Sequence, residues 1–189
     1  MTGRIERLKK EYAIDVRWRA FPLHPETPEE GTLLAHLFSN FSSEDLKNMT
    51  DRVKQAAGEA GLPFADRLKT FNSRLAQELG KWAERSDKGD SFHRAVFKAY
   101  FADGINIAKI PALVDIAASV GLPRNESEAV LVQRTFKAEV DEDWSLSHRK
   151  GITAVPTFVM HKDRLVGAQP YEMLEGLLVA KGVKKKNGS

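Results

Sequence analysis

The chain has 189 residues, 42% of them apolar and 29% charged, a balance that suits one large domain, or one carrying a sizeable insertion, and argues against disorder. Its net charge of +3 is small, with acids and bases interspersed and no basic stripe for nucleic acid. It contains no cysteine, which removes disulfides, thiolate chemistry and cysteine-ligated zinc from these residues.

No apolar run approaches the ~18 residues of a membrane span and no signal peptide opens the chain, so the expected compartment is the cytoplasm, with no membrane partner. The five histidines are scattered, none at the i, i+4 spacing of a helical metal pair, so no metal is expected. The opening MTGRIERLKKEY predicts an amphipathic helix with Ile5, Leu8 and Tyr12 on one face. IDVRWRAF (14–21) alternates, with Ile14, Val16, Trp18 and Ala20 on one side, and predicts a half-buried strand. FPLHPETPEEG follows, where Pro22, Pro25 and Pro28 forbid helix and ladder alike.

From about Thr32 to Arg149 the pattern is helical. Ser42 or Ser43 can cap a helix carrying Leu46, Met49, Val53, Ala56 and Ala60. Asp66 to Arg85 carries the stripe Leu68, Phe71, Leu75, Leu79 and Trp82. KGD breaks it before SFHRAVFKAYF, and Pro111 can start the next helix. Asn125-Glu126-Ser127-Glu128 reads as a capping box opening a long helix to about His148. Strand signals return in ITAVPTFVM and RLVGA, joined by a turn at His161-Lys162-Asp163, and Pro170 stands at the first turn of a last helix with Leu174, Leu177 and Leu178 inward. Lys181 and Lys184 to Lys186, before Asn187-Gly188-Ser189, read as a frayed, solvated terminus. The expected architecture is α/β, divided as 1–31 (helix and strand), 32–149 (helical insertion and connecting helix) and 150–189 (strand, hairpin, last helix).

Pro156 stands inside the β-branched run GITAVPTFV, where a ladder cannot use it. With the order of elements around it, the pattern GITAVPTFV…LVGAQPYEMLE resembles the C-terminal end of the DsbA-like thioredoxin family. The FrnE-type branch is the nearer likeness, related to 2-hydroxychromene-2-carboxylate isomerase and kappa glutathione transferase. FPLHPETPEEG, TFNSRLAQELGKWA, FHRAVFKAYFADGINI and EVDEDWSLSHRKGITAVPTF extend the resemblance over nearly the whole chain.

The resemblance implies a thioredoxin-like fold with a large all-helical insertion. It implies a cis Val155–Pro156 bond, and a groove at Val155, Pro156 and Thr157 where an extended peptide or glutathione bonds the backbone as one more strand. It also implies a Cys-x-x-Cys at the start of the first helix, where the helix dipole stabilises a thiolate. Here Thr2-Gly3-Arg4-Ile5-Glu6-Arg7 matches the piece just after that motif, so the redox pair and the central first strand are expected to be missing. Losing that strand would cost roughly 5–10 kcal/mol of burial. Either its two neighbours close the gap or a partner chain fills it, as in a homodimer.

Asn72 and Ser73 are candidates to bond a peptide or glutathione backbone, weighed evenly against a plain solvated face. His93, Trp82, Trp144 and Trp18 read as packing residues, and Asp141, Glu142 and Asp143 as a solvated acidic face. The resemblance implies protein thiol–disulfide exchange without a cofactor, inactive in a chain without cysteine. A glutathione-dependent isomerase or transferase, or a peptide-binding module without chemistry, are the alternatives.

Overall fold

Ile5, Leu8 and Tyr12 recur at helical spacing, and the helix they specify, α1 (Thr2–Glu11), buries all three or lies beside them. The computed structural model describes residues 2–59 and 61–186. It divides into two compact units, Met1–Leu23 with Trp144–Ser189, and His24–Asp143.

In the first unit, α1 packs its apolar side into a cluster with Tyr171, Leu174 and Leu178 of α9 (Tyr171–Ala180). β3 (Thr157–Met160) and β4 (Asp163–Val166) form an antiparallel hairpin whose Phe158, Met160 and Leu165 join the same cluster. Burying each such side chain contributes about 1.5–3 kcal/mol. His161 takes φ 54°, the left-handed conformation that a two-residue hairpin turn asks of its first residue.

Two expectations are corrected in this unit. Residues 14–21 enter neither sheet, although Ile14, Val16, Trp18 and Ala20 are half-buried and Asp15, Arg17 and Arg19 exposed, as the alternation requires. A period of two describes which side chains face inward, but a ladder needs a partner backbone, and among the described residues 14–21 pair with neither β3 nor any other strand. The lysine tail is not frayed through Lys186. Lys185 bridges Glu175 at 2.9 Å and Glu11 at 3.6 Å, and the Lys186 amide donates to Glu11 O (2.8 Å). Asn187–Ser189 lie outside the described residues.

The second unit is built from β1 (Thr32–Leu33), α2 (Leu34–Leu37), α3 (Ser43–Glu59), β2 (Lys69–Thr70), α4 (Arg74–Arg85), α5 (Gly89–Phe101), α6 (Ile110–Ser119) and α7 (Arg124–Gln133). The first half of α8 (Lys137–Arg149) completes it. The insertion is therefore not wholly helical, because β1 and β2 pair as a short antiparallel ribbon. Leu79, Ala83, Phe92, Leu113, Ala117 and Leu131 centre its core, with Trp82 packed against them.

Ser42 caps α3, its hydroxyl accepting from the Asp45 amide (3.1 Å) while Asp45 accepts from the Ser42 amide (3.2 Å). Ala60, the last member of the expected α3 stripe, lies outside the described residues. α4 begins only at Arg74, and Leu68 is 81% exposed, so the apolar stripe overran the helix. The long helix expected from Asn125 is two helices. Pro123 is the cap of α7, and Arg134 turns left-handed (φ 55°) before α8 begins. That turn delivers the Arg134 side chain to a buried carboxylate described below.

Candidate functional site

The loop before β3 positions the first group of candidate residues. The Val155–Pro156 bond is cis, and Thr157 Oγ1 donates to Ala154 O at 2.6 Å. Pro156 O accepts from the Gly167 amide (2.8 Å), which makes Pro156 and Gly167 a hydrogen-bonded pair at the hairpin end. Such pairs alternate along an antiparallel ladder, so Thr157 and Val159 turn their N–H and C=O groups to the opposite edge. Among the described residues no third strand pairs with that edge, and the Val155 and Val159 side chains are both 45% exposed. Arg4 Nη1 donates to Gln169 O (2.9 Å), which holds the start of α1 at the same end of the hairpin. An edge with outward backbone groups can accept one further strand.

Asn72 and Ser73 belong to the helical unit, just before α4. Asn72 Nδ2 donates to Pro25 O (3.0 Å) and Thr27 O (2.8 Å), and its Oδ1 accepts from the Arg74 amide (2.8 Å). The Ser73 hydroxyl accepts from Gln77 Nε2 at 3.1 Å. Asn72 thus ties the proline-rich FPLHPETPEEG loop to the first turn of α4. A third motif joins them: Asn106 Nδ2 donates to Glu29 O (2.9 Å), and Lys109 pairs with Glu29 (2.6 Å) and with Glu30. Three segments far apart in sequence therefore frame one cavity of about 250 Å³, lined by Glu29, Asn72, Arg74, Leu75, Ala108 and Arg134.

Beside that cavity lies Glu78, fully buried. It accepts from Arg74 Nε (2.5 Å) and from Arg134 Nε and Nη2 (2.7 Å each). Burial pushes its carboxyl up, but the hydrogen bonds from Arg134 and then Arg74 outweigh that and hold it below the usual carboxylate range. Arg74 also reaches Asp141 Oδ1 (2.7 Å) and Lys137 O (2.8 Å). The i, i+4 spacing of Arg74 and Glu78 was visible in the sequence, whereas the burial of Glu78 and the arrival of Arg134 were not.

The acidic run in α8 is likewise not a solvated face. Asp143 is 1% exposed and bridges Lys81 at 2.6 Å, Asp141 is held by Arg74 and Lys137 although its side chain is 44% exposed, and Glu142 is exposed. His93 packs where expected. Burial lowers its pKa, with Asp90 opposing and Lys81 adding, and Nε2 stands 3.7 Å from Glu84. Among the described residues no group of three or more His, Asp or Glu could hold a metal ion, and no helix is long and apolar enough to cross a membrane.

A hairpin entered through a cis-proline, packed on a first and a last helix and separated in sequence by a mainly helical unit, is the architecture of a thioredoxin-like protein with a helical insertion. The chain belongs to the DSBA-like thioredoxin domain family, whose model matches residues 1–179. It is 26% identical over 184 residues to the uncharacterized protein YwbO of Bacillus subtilis (strain 168), covering 91% of this chain and 84% of YwbO. Its fold is similar to that of a probable DsbA oxidoreductase, SCO1869 from Streptomyces coelicolor, with a TM-score of 0.85 at 23% identity over 98% of this chain and 85% of that one. It is also similar to the cytosolic disulfide reductase DsbM from Pseudomonas aeruginosa, with a TM-score of 0.64 at 20% identity over 95% and 91% of the two chains.

Proposed function

We propose that these residues form the substrate-holding platform of a protein thiol–disulfide oxidoreductase of the DsbA and FrnE type, and that they exchange no disulfide by themselves. The observation that carries this reading is the outward backbone edge at Thr157 and Val159, just beyond the Val155–Pro156 bond, in a chain without cysteine. An extended segment of a thiol- or disulfide-bearing protein adds to that edge as a strand, with Val155, Pro156 and Thr157 in contact with it. Asn72 and Ser73 serve substrate binding in the helical unit. Asn72 does so by holding the cavity wall, and Ser73 by its hydroxyl proton. The reaction class needs no cofactor, the compartment is the cytoplasm, and a second copy of the chain is a further partner for the open edge.

The test has two parts. Insulin reduction by dithiothreitol should run at the blank rate in the presence of this chain. A labelled extended peptide containing cysteine should bind, and Thr157→Pro, which removes one outward N–H, should weaken binding about tenfold, the cost of ~1.4 kcal/mol for one well-made hydrogen bond. Insulin reduction above the blank, or binding indifferent to Thr157→Pro in a variant with unchanged far-UV circular dichroism, would overturn the reading. Glutathione binding without peptide binding would move the chain to the isomerase and transferase side of the resemblance.

A further inference from the structure

The net charge of +3 conceals a segregation. The unit Met1–Leu23 with Trp144–Ser189 carries fourteen Lys and Arg against six Asp and Glu, a net +8. The unit His24–Asp143 carries fifteen against twenty, a net −5. Within the positive unit, Lys150, just past α8, comes together with His161, Lys162 and Arg164 of the hairpin. Between them lies a second cavity of about 250 Å³, lined by Lys150, Ile152, Val159, His161, Lys162 and Arg164. Phe158, Met160 and Leu165 point to the core, so Val159 and Arg164, opposite each other in the ladder, point to the other face of the hairpin.

Four of the six lining residues are basic and none is acidic. Asp163 is the one acid between residues 144 and 171, and it is paired with Lys181. Among the described residues no carboxylate bridges Lys150, His161, Lys162 or Arg164. Arg164 is held in place: Nη1 donates to Lys150 O (3.3 Å) and Gly151 O (3.2 Å), carbonyls just past the C-terminal end of α8. A fixed guanidinium ringed by two ammonium groups and an imidazole, with Ile152 and Val159 as an apolar wall, is concave and positive.

We infer that this cavity binds a small, multiply charged phosphate compound, a diphosphate or a phosphate ester. A singly charged carboxylate would engage one of the cations and leave the rest repelling one another. A compact anion with two or more charges and several acceptor oxygens satisfies the guanidinium fork and the lysines together. The +8 field of the unit raises the local concentration of such an anion, so binding weakens as salt rises. The inference does not rest on the proposed peptide platform: the two meet only at Val159, whose side chain walls the cavity while its backbone groups lie on the strand edge, and Val155, Pro156 and Thr157 take no part in it.

The experiment is a calorimetric titration of the chain with sodium diphosphate at low ionic strength, repeated at about 0.5 M salt, where the Debye length falls to a few ångströms. Lys150 and Lys162 are exposed and bridge no carboxylate among the described residues, so the double variant K150E/K162E folds as the parent does, checked by far-UV circular dichroism. Expected are saturable binding that salt weakens, at least a tenfold loss in K150E/K162E, and a much smaller loss in K184E, an exposed lysine outside the cavity that adds only to the field of the unit. Amide shifts on diphosphate addition should centre on Gly151 and His161. No saturable binding, survival of binding in K150E/K162E, or an equal loss in K184E would each overturn the inference. So would a short single-stranded oligonucleotide binding more tightly than diphosphate and weakened equally by K184E, which would mark the charge of the whole unit as a nucleic-acid surface.

Discussion

Glu78→Ala removes the carboxylate that Arg74 and Arg134 share inside the helical unit. Three charge-assisted hydrogen bonds of 2.5–2.7 Å are lost together. At about 1.5–3 kcal/mol each their gross sum is large, but two facts reduce the net. Arg134 is 40% exposed and regains water, and Arg74 keeps Asp141 and the Lys137 carbonyl. Arg74, only 14% exposed, loses the carboxylate on its Nε and keeps the one at Asp141. Breaking a buried pair of this kind costs about 3–5 kcal/mol, and the exposure of Arg134 puts this one at the low end, about 3 kcal/mol.

Urea unfolding at pH 7, followed by far-UV circular dichroism, measures that loss as a lower midpoint at unchanged slope. The pH dependence supplies a second check. The folded carboxyl titrates below its ordinary 4.5, so its contribution is complete above that value and disappears as pH falls through the lower folded value. The parent and Glu78→Ala curves should therefore converge in acid. A loss below about 1 kcal/mol at pH 7, or a gap that stays constant into acid, would refute the account of Glu78 as the charge that organises α4 and the α7–α8 junction.

Gly31→Ala should destabilise by about 2–4 kcal/mol, read from the urea midpoint. Gly31 has φ +80°, and a Cβ there would stand 2.5 Å from Phe71 Cδ1 and 2.6 Å from Thr70 O. Asn72→Ala should cost about 2–3 kcal/mol, because two loop carbonyls and the Arg74 amide lose their partner at once; a neutral result would show that the loop is held by other bonds. Burial, with the hydrogen bond from the Tyr171 hydroxyl to Glu11 (2.6 Å), pushes the Tyr171 phenol up to about 12. Its contribution to stability is thus complete below its ordinary 10.0 and lost as pH rises through about 12. Ultraviolet titration of the parent against Tyr171→Phe should assign the last-ionising phenol to this residue.

Much of the fold was legible because one-dimensional patterns record which face of an element is buried. Ile5, Leu8 and Tyr12 on α1, Leu174 and Leu178 on α9, and the hairpin around His161-Lys162 all stand where periodicity and turn chemistry put them. Pattern failed where the outcome depends on a second segment. Residues 14–21 keep their alternation and form no ladder, since pairing belongs to two backbones. Leu68 continues an apolar stripe and is exposed, because the chain there is engaged in the β1–β2 ribbon before α4 can start. Arg134 sits in a run with good helix formers, and a left-handed turn wins because its guanidinium then reaches Glu78.

The candidate site divides the same way. Pro156 drew notice as a proline standing where a ladder cannot use it, a property of the residues themselves, and the family resemblance then implied the groove at Val155, Pro156 and Thr157. That Thr157 and Val159 turn their backbone groups away from β4 follows only from the register, which the Gly167–Pro156 hydrogen bond sets. Asn72 was legible as polar and near a helix start, but its bonds to Pro25 and Thr27 required the loop to fold back.

The sequence by itself determined the family, the amphipathic faces and the absence of any thiol, because each of these is written in residue identity and spacing. Only the tertiary structure decided that Glu78 and Asp143 are buried and paired. It alone divided a nearly neutral composition into one unit of +8 and another of −5, and gathered Lys150, His161, Lys162 and Arg164 around a single cavity. The physical reason is that charge acts through distance in space, and distance in space between remote residues is what folding, rather than order along the chain, supplies.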